Sequence, residues 1–251
     1  MNRRTFLKGV PALTILAATK ASLAEEVNQP ASATADANKA GNKIEGVEPI
    51  ELIKPEMDGG KSVLAALKER RTIRNIKAEK LPAQTLSNLL WAAWGVNRPA
   101  AGPMGRAGRT AATASNSQEI DLYAVMPEAT YLYEAASHRL NPVASGDLRA
   151  KVNAHGRREA MAKAPVILVY VVDIAKYKTS PFQEPGLKDA EIQKSYYNVA
   201  VGLIAGNVYL FAASQGLAAW FHNCNKPVLA TELKLRPEQR VLYAQTVGLP
   251  G

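Results

Sequence analysis

Three guanidinium groups and one hydroxyl fall within five residues: Arg70, Arg71, Thr72 and Arg74. Arg offers parallel N–H donors that match phosphate or carboxylate oxygens, and Thr adds a neutral donor. The residues just before them, Val63, Leu64, Ala66 and Leu67, form an apolar, helix-like run. If that helix ends near Lys68 or Glu69 and the chain then extends, Arg70, Thr72 and Arg74 project to one side. Such a comb suits a phosphate monoester. An arginine pair alone is more often a solvated turn, so a second stretch matters. Arg109 to Gln118 is rich in Thr, Ser and Asn, ends Ser115-Asn116-Ser117-Gln118, and runs into the strand-like segment from Ile120 to Val125.

Other chemistries find less support. His138, His155 and His222 show no ligand spacing and no Cys/His cluster exists, so no metal site is expected. A Gly-x-Ser-x-Gly elbow is absent, as is a dinucleotide-binding Gly-x-Gly-x-x-Gly after a strand. Cys224 is the only cysteine, which rules out an intrachain disulfide and reads as a small apolar filler sooner than a redox thiol. No catalytic residue is assigned from sequence.

The elements that must hold these residues can be read from periodicity. Leu81-Pro82 opens a helix with Pro at its first position; Leu86, Leu89, Leu90 and Ala93 follow at helical spacing and Gly95 ends it. Asn97 to Gly108, with Pro and Gly, reads as an irregular loop. Residues 131 to 158 resist interpretation, apart from a helix expected from Leu148 to Ala162. The β-branched run from Pro165 to Val172 predicts a strand buried on both faces. Ala190 to Ser214 is the longest helical pattern, and its nearly all-apolar stretch from Val199 to Ala213 predicts burial all round. Gly202 and Gly206, four apart, would let another backbone approach, while Asn198, Asn207 and Gln215 argue against a membrane span. Val241 to Gly248 is a last strand.

Together the two polar stretches resemble the nitroreductase family of flavin mononucleotide (FMN) enzymes. That family opens with Arg-Arg-Ser/Thr-x-Arg, then carries a Ser/Thr/Asn-rich loop ending Asn-Ser-Gln ahead of a strand. The ending Val247-Gly248-Leu249-Pro250 resembles its Val-Gly-Tyr-Pro, so the likeness extends from Val63 to Pro250. It implies an α+β fold with a central, mostly antiparallel sheet (near 120–125, 166–172 and 241–247) flanked by helices, in a homodimer that builds two FMN sites at its interface. By matching positions, Arg70, Arg71, Thr72 and Arg74 would hold the FMN phosphate and ribityl chain. Asn116, with Ser115 beside it, would bond the ring's pyrimidine edge. Asn223 and Cys224 fall where the family offers a backbone N–H to flavin N5. The resemblance implies an oxidoreductase cycling its flavin against a small-molecule substrate. Two departures stand out: Glu119 replaces the Pro common after Asn-Ser-Gln, and relatives continue past the Pro250 position with basic residues and a dimer arm. They leave open an alternative, a non-catalytic ligand-binding protein on the same fold.

The N-terminus carries Arg3-Arg4-Thr5-Phe6-Leu7-Lys8, an apolar run to Ala18 and small residues at Ser22-Leu23-Ala24. This is a signal of twin-arginine type over residues 1–24, shorter than the ~20 apolar residues of a spanning helix. It predicts a folded protein exported to the periplasm, with no integral membrane segment once removed. Loss of Arg3, Arg4, Lys8 and Lys20 lowers the formal charge from +9 to +5, and no basic run interleaved with aromatics points to nucleic acid. Residues 25–48 read as a flexible leader, and 49–251 as the FMN-binding domain. Because NAD(P)H is cytoplasmic, the expected electron donor is the substrate itself or a separate exported redox partner.

Overall fold

Val166–Asp173 is buried at every position, and the sheet is built outward from it. The computed structural model describes residues 44–99, 105–153 and 162–251. The residues read as an export signal, most of those read as a leader, and His155 therefore lie outside the described residues, all of which fall in the unit Asn42–Gly251. In chain order the strands are β1 (Ile50–Glu51), β2 (Val96–Arg98), β3 (Gly108–Arg109), β4 (Ile120–Val125), β5 (Ala129–Glu134), β6 (Arg139–Ser145), β7 (Val166–Asp173), β8 (Ala218–His222) and β9 (Gln239–Gly248). The helices are α1 (Val63–Glu69), α2 (Ala83–Trp94), α3 (Arg149–Val152), α4 (Ala190–Ser214) and α5 (Lys226–Glu232). One seven-stranded sheet runs β1-β6-β5-β4-β7-β9-β8, with every pairing antiparallel, and β2 pairs with β3 in a separate ribbon. The α+β expectation holds.

Period-two alternation sorts the central strands between two layers. Leu122, Ala124, Leu168, Tyr170 and Val172 pack under α2 and α4, through Leu89, Leu90, Trp94, Val201 and Ile204 among others. Tyr123, Val125, Ile167, Val169 and Val171 pack on the opposite side against Leu148, Val152 and Leu229. The two-sided burial expected for residues 166–172 follows from this sandwich, although the neighbours are antiparallel.

Several expectations need correction. Pro82 is the N-cap of α2, one residue before its first turn. The loop expected from Asn97 to Gly108 supplies residues to the β2–β3 ribbon, where a run of Gly and Pro hid the pairing. The uninterpreted residues from 131 onward complete β5 and build β6, whose polar exposed positions blur the alternation. His138, at their turn with a positive φ of 51°, bonds Tyr133 OH at 2.9 Å, Ser87 Oγ at 2.7 Å and the Ile53 carbonyl at 3.1 Å. It ties the segment after β1 to α2 and the hairpin.

The long helix is the main exception. Its bounds agree with the sequence reading, and Asp189 caps it by accepting from the N–H groups of Glu191 and Ile192. Gly216, at φ 69°, takes the left-handed turn that ends it. Yet the stretch is not buried all round: Val199 is 61% and Leu203 45% exposed. A Cβ added at Gly202 or Gly206 would meet nothing within 4 Å. Val199, Gly202, Leu203 and Gly206 recur at helical spacing, so one apolar stripe has no neighbour among the described residues. Val63, Leu64 and Leu67 of α1, which packs on α4, are exposed as well. By length and composition α4 could cross a membrane, but its opposite face is core.

Candidate functional site

Arg70 caps α1, donating its backbone N–H to Ala66, and the chain then runs extended beside the edge strand β8. Ile73 donates to the Ala219 carbonyl at 3.0 Å and Lys77 to that of Leu249 at 2.9 Å. Ile73 faces a small apolar group with Ile76, Ala164 and Ala218. The alternate residues meet aromatic rings instead. The Arg70 guanidinium lies 5.3 Å from the Tyr209 ring centroid, and Arg74 lies 5.7 Å from that of Trp220. Thr72 Oγ1 shares a 3.0 Å hydrogen bond with Tyr209 OH, which also accepts the Phe221 N–H at 2.8 Å. Tyr209 thus joins α4, β8 and the arginine segment through one phenol. Arg70, Arg71 and Arg74 form no ion pair among the described residues. Rings hold two of them without spending their charge.

The second stretch folds into a tight turn, Ala114–Asn116, just before β4. Ser115, Asn116 and Gln118 all have φ near +50°, a region that costs non-glycine residues roughly 1–3 kcal/mol each. A dense set of bonds offsets that cost. Arg106 donates to the carbonyls of Asn116, Ser117 and Thr179 at 3.2, 2.9 and 3.2 Å. Ser180 Oγ donates to the Ser115 carbonyl at 2.7 Å, and Gln118 N–H to Thr113 Oγ1 at 3.0 Å. Gln118 also accepts from Arg109 Nε at 2.7 Å and donates to Asn116 Oδ1 at 3.0 Å. The Asn116 amide nitrogen has no partner among the described residues. A cleft of about 410 Å³ opens here, lined by Arg98, Arg106, Arg109, Thr113, Ser115 and Asn116 among others.

Glu119 follows, fully buried. Ser117 donates to its Oε2 at 2.6 Å, Oε1 has no hydrogen-bond partner among the described residues, and burial raises its pKa, against the opposing effects of Ser117, Tyr177 and Lys176. Asn223 is exposed just past β8, whereas the Cys224 side chain is 3% exposed in the layer opposite α4. Burial pushes that thiol up to about 11, which makes it inert, as a filler should be. At Cys224 only the backbone remains a candidate for ligand contact. His222 stacks on Trp220 with centroids 4.7 Å apart and bonds Thr246 Oγ1 at 2.9 Å; burial lowers its pKa.

The fold therefore gathers Arg70, Thr72 and Arg74 at Tyr209 and Trp220, and Ser115 and Asn116 at the cleft. No hydrogen bond, ion pair or ring contact joins the two groups among the described residues; both flank α4, where Asn207 donates to the Thr110 carbonyl at 3.1 Å.

A sequence profile of the nitroreductase family matches residues 67–249. The chain belongs to the nitroreductase family. A candidate nitroreductase from Ralstonia eutropha JMP134 is 30% identical, with 81% of this chain and 90% of that one covered at a TM-score of 0.69. A candidate nitroreductase from Anabaena variabilis is 13% identical at TM-score 0.63; the match covers 81% of this chain and 42% of that longer one. A nitroreductase family protein from Streptococcus pneumoniae TIGR4 gives 17% identity, coverage of 76% and 91%, and TM-score 0.53, a likeness of fold. No match is found among curated proteins. Family membership makes the chain a nitroreductase-type oxidoreductase. Sequence reasoning about this nitroreductase missed Tyr209, Trp220, Arg98 and Arg106. The signal for the arginines was present: Asn97 to Gln118 holds three Arg and no acidic residue.

Proposed function

We propose that this nitroreductase binds FMN, works as a homodimer outside the cytoplasm, and moves electrons between small molecules. The observation that carries the reading is the arginine comb at Tyr209 and Trp220, free of carboxylates among the described residues. Two uncompensated guanidinium groups beside a held hydroxyl fit a phosphate ester: Arg70 and Arg74 bind the anion, Thr72 adds a donor, and the exposed Arg71 between them adds positive charge. Asn116 keeps an unspent amide N–H₂ that suits a ring carbonyl, and the backbone at Asn223–Cys224 is the candidate contact for the ring's redox edge. A bound flavin supplies the hydride or electron transfer itself. The chain's part is to anchor the phosphate, orient the ring and shape access.

Two features support the dimer. The exposed stripe on α4 with exposed Val63 and Leu64 of α1 offers an apolar surface. The comb and the Ser115–Asn116 turn do not touch within one chain, and a second copy across that surface would bring them to a shared site. Analytical ultracentrifugation of the mature protein should give a dimer; a monomer that holds full FMN would refute the shared site.

For the cofactor, protein should be purified, heated, and the released flavin identified by chromatography. FMN in the wild type and its loss in Arg70→Ala/Arg74→Ala is the expected pattern. Undiminished flavin in the double variant would sink the assignment, and absence of flavin even after reconstitution would favour the non-catalytic alternative. The Arg-Arg-x-Phe-Leu-Lys string supports export and hence a donor other than NAD(P)H. Anaerobic stopped-flow mixing with NADH or NADPH should bleach the flavin slowly; fast saturable bleaching at micromolar nucleotide would contradict this.

A further inference from the structure

We propose that the cleft beside Ser115 and Asn116 is an anion subsite, and that Arg98 selects substrates bearing a carboxylate or phosphate group. The proposal rests on the oxidoreductase reading for its catalytic meaning, but not for its binding test.

Three guanidinium groups line this cleft, and no carboxylate among the described residues does. Arg106 spends donors on three backbone carbonyls, which hold it in place without neutralising it. Arg109 gives Nε to Gln118 and Nη1 to the Trp94 carbonyl at 3.0 Å, and its guanidinium lies 4.9 Å from the Trp94 ring centroid. Burial pushes its pKa down to about 10; Arg106 lowers it further, while Tyr133 and Asp121 act the other way. Glu184 is the carboxylate tied to the rim, bonding Ser115 Oγ at 3.3 Å, and it meets no arginine of the cleft. Residues 100–104 contain no acid.

Arg106 and Arg109 are fixed scaffolding with unneutralised charge. Arg98 is exposed, and its side chain makes no hydrogen bond or ion pair among the described residues. Its guanidinium lies over Gly108, where a Cβ would come within 2.5 Å of Nε. The missing side chain at Gly108 lets the guanidinium rest against the ribbon. An anion there would meet a fork of free donors in a field set by two fixed cations. The cleft has the volume expected for a small organic ligand. The comb at Arg70–Arg74 is a separate cluster, so a cofactor phosphate there leaves Arg98 free for the substrate.

The test is calorimetric titration of the purified protein at low ionic strength with benzoate and, in a second arm, inorganic phosphate. Wild type should bind one or both, and added salt should weaken it. Arg98→Ala should weaken binding about ten- to a hundredfold, the loss of one charged hydrogen-bonding group, with unchanged flavin content and melting temperature. The benzoate arm identifies a carboxylate site and the phosphate arm a phosphate site. With turnover, the ratio of kcat/KM for 4-nitrobenzoate over 4-nitrotoluene should fall by a similar factor in Arg98→Ala. Equal binding by wild type and variant would overturn the proposal. So would loss of flavin in Arg98→Ala comparable to that in Arg70→Ala/Arg74→Ala, because Arg98 would then serve the cofactor. Anion binding lost on Arg98→Ala in a protein without flavin would uphold the subsite while the FMN reading failed.

Discussion

Arg149 and Arg236 each meet a carboxylate, whereas Arg70, Arg71, Arg74 and Arg98 meet none among the described residues. Arg149 grips Asp147 through Nε and Nη2 at 2.9 and 2.7 Å and donates Nη1 to the buried Ala164 carbonyl at 2.6 Å. Arg236 bonds Asp173, which is buried at the end of β7. Of the unpaired group, Arg70 and Arg74 are held by rings beside β8, and Arg98 rests against a glycine's open face in the β2–β3 ribbon. Arginine paired with a carboxylate has its charge cancelled and serves the fold. Arginine held by aromatic carbon keeps its charge for something that arrives later.

The comparison breaks most sharply on a double substitution. Arg70→Ala/Arg74→Ala should lower FMN affinity a hundredfold or more, since each charged phosphate contact contributes about 1.5–3 kcal/mol. The melting temperature of the flavin-free protein should barely move. Flavin release and thermal melts on the same samples separate the two effects.

Arg149→Ala should do the reverse. It strips the Ala164 carbonyl of a donor, which costs about 2 kcal/mol, and chemical denaturation should show that loss. Flavin content per folded molecule should stay at the wild-type level; a fall in it would mean the paired arginines also serve the site.

Tyr209→Phe tests the link between the regions. It removes the partner of Thr72 and leaves the Phe221 N–H unmatched, so about 1 kcal/mol of stability should go. FMN affinity should fall severalfold, less than for the arginines, because Thr72 loses its anchor but no charge leaves.

The smallest effect is on pH dependence. Burial depresses His138 and His222 below the ordinary histidine value near 6.5. Their contribution to stability is thus complete above that value and lost as pH falls through the lowered pKa values. Glu119 has the opposite sign: its raised pKa favours the protonated folded state, so stability declines as pH rises above 4.5 through the raised value. Glu119→Gln should therefore raise the melting temperature at pH 7.5 by a few degrees and flatten the alkaline decline. A lower melting temperature in that variant would show that the carboxylate has a partner when charged.

The sequence revealed the parts of this molecule whose physics is local. Residues 166–172 had to be a buried strand because β-branched side chains leave no polar face, and α4 falls on the bounds its apolar pattern predicts. The comb could be read because extended chain alternates: Ile73 inward forces Arg70, Thr72 and Arg74 outward. Long-range partners could not be read. Tyr209 is one aromatic in an apolar helix, and only the fold brings its hydroxyl to Thr72, 137 residues away, and to Phe221. The exposed stripe on α4 misled for a related reason. Apolar composition reports that a surface will be covered, not that the same chain will cover it.

The central claim is that uncompensated arginines along β8 hold a flavin phosphate. The most direct measurement is the flavin stoichiometry of purified mature protein, by heat release and chromatography, beside Arg70→Ala/Arg74→Ala. The account predicts near-equimolar FMN in the wild type and almost none in the variant. Equal FMN in both, or none in either after incubation with FMN, would contradict it.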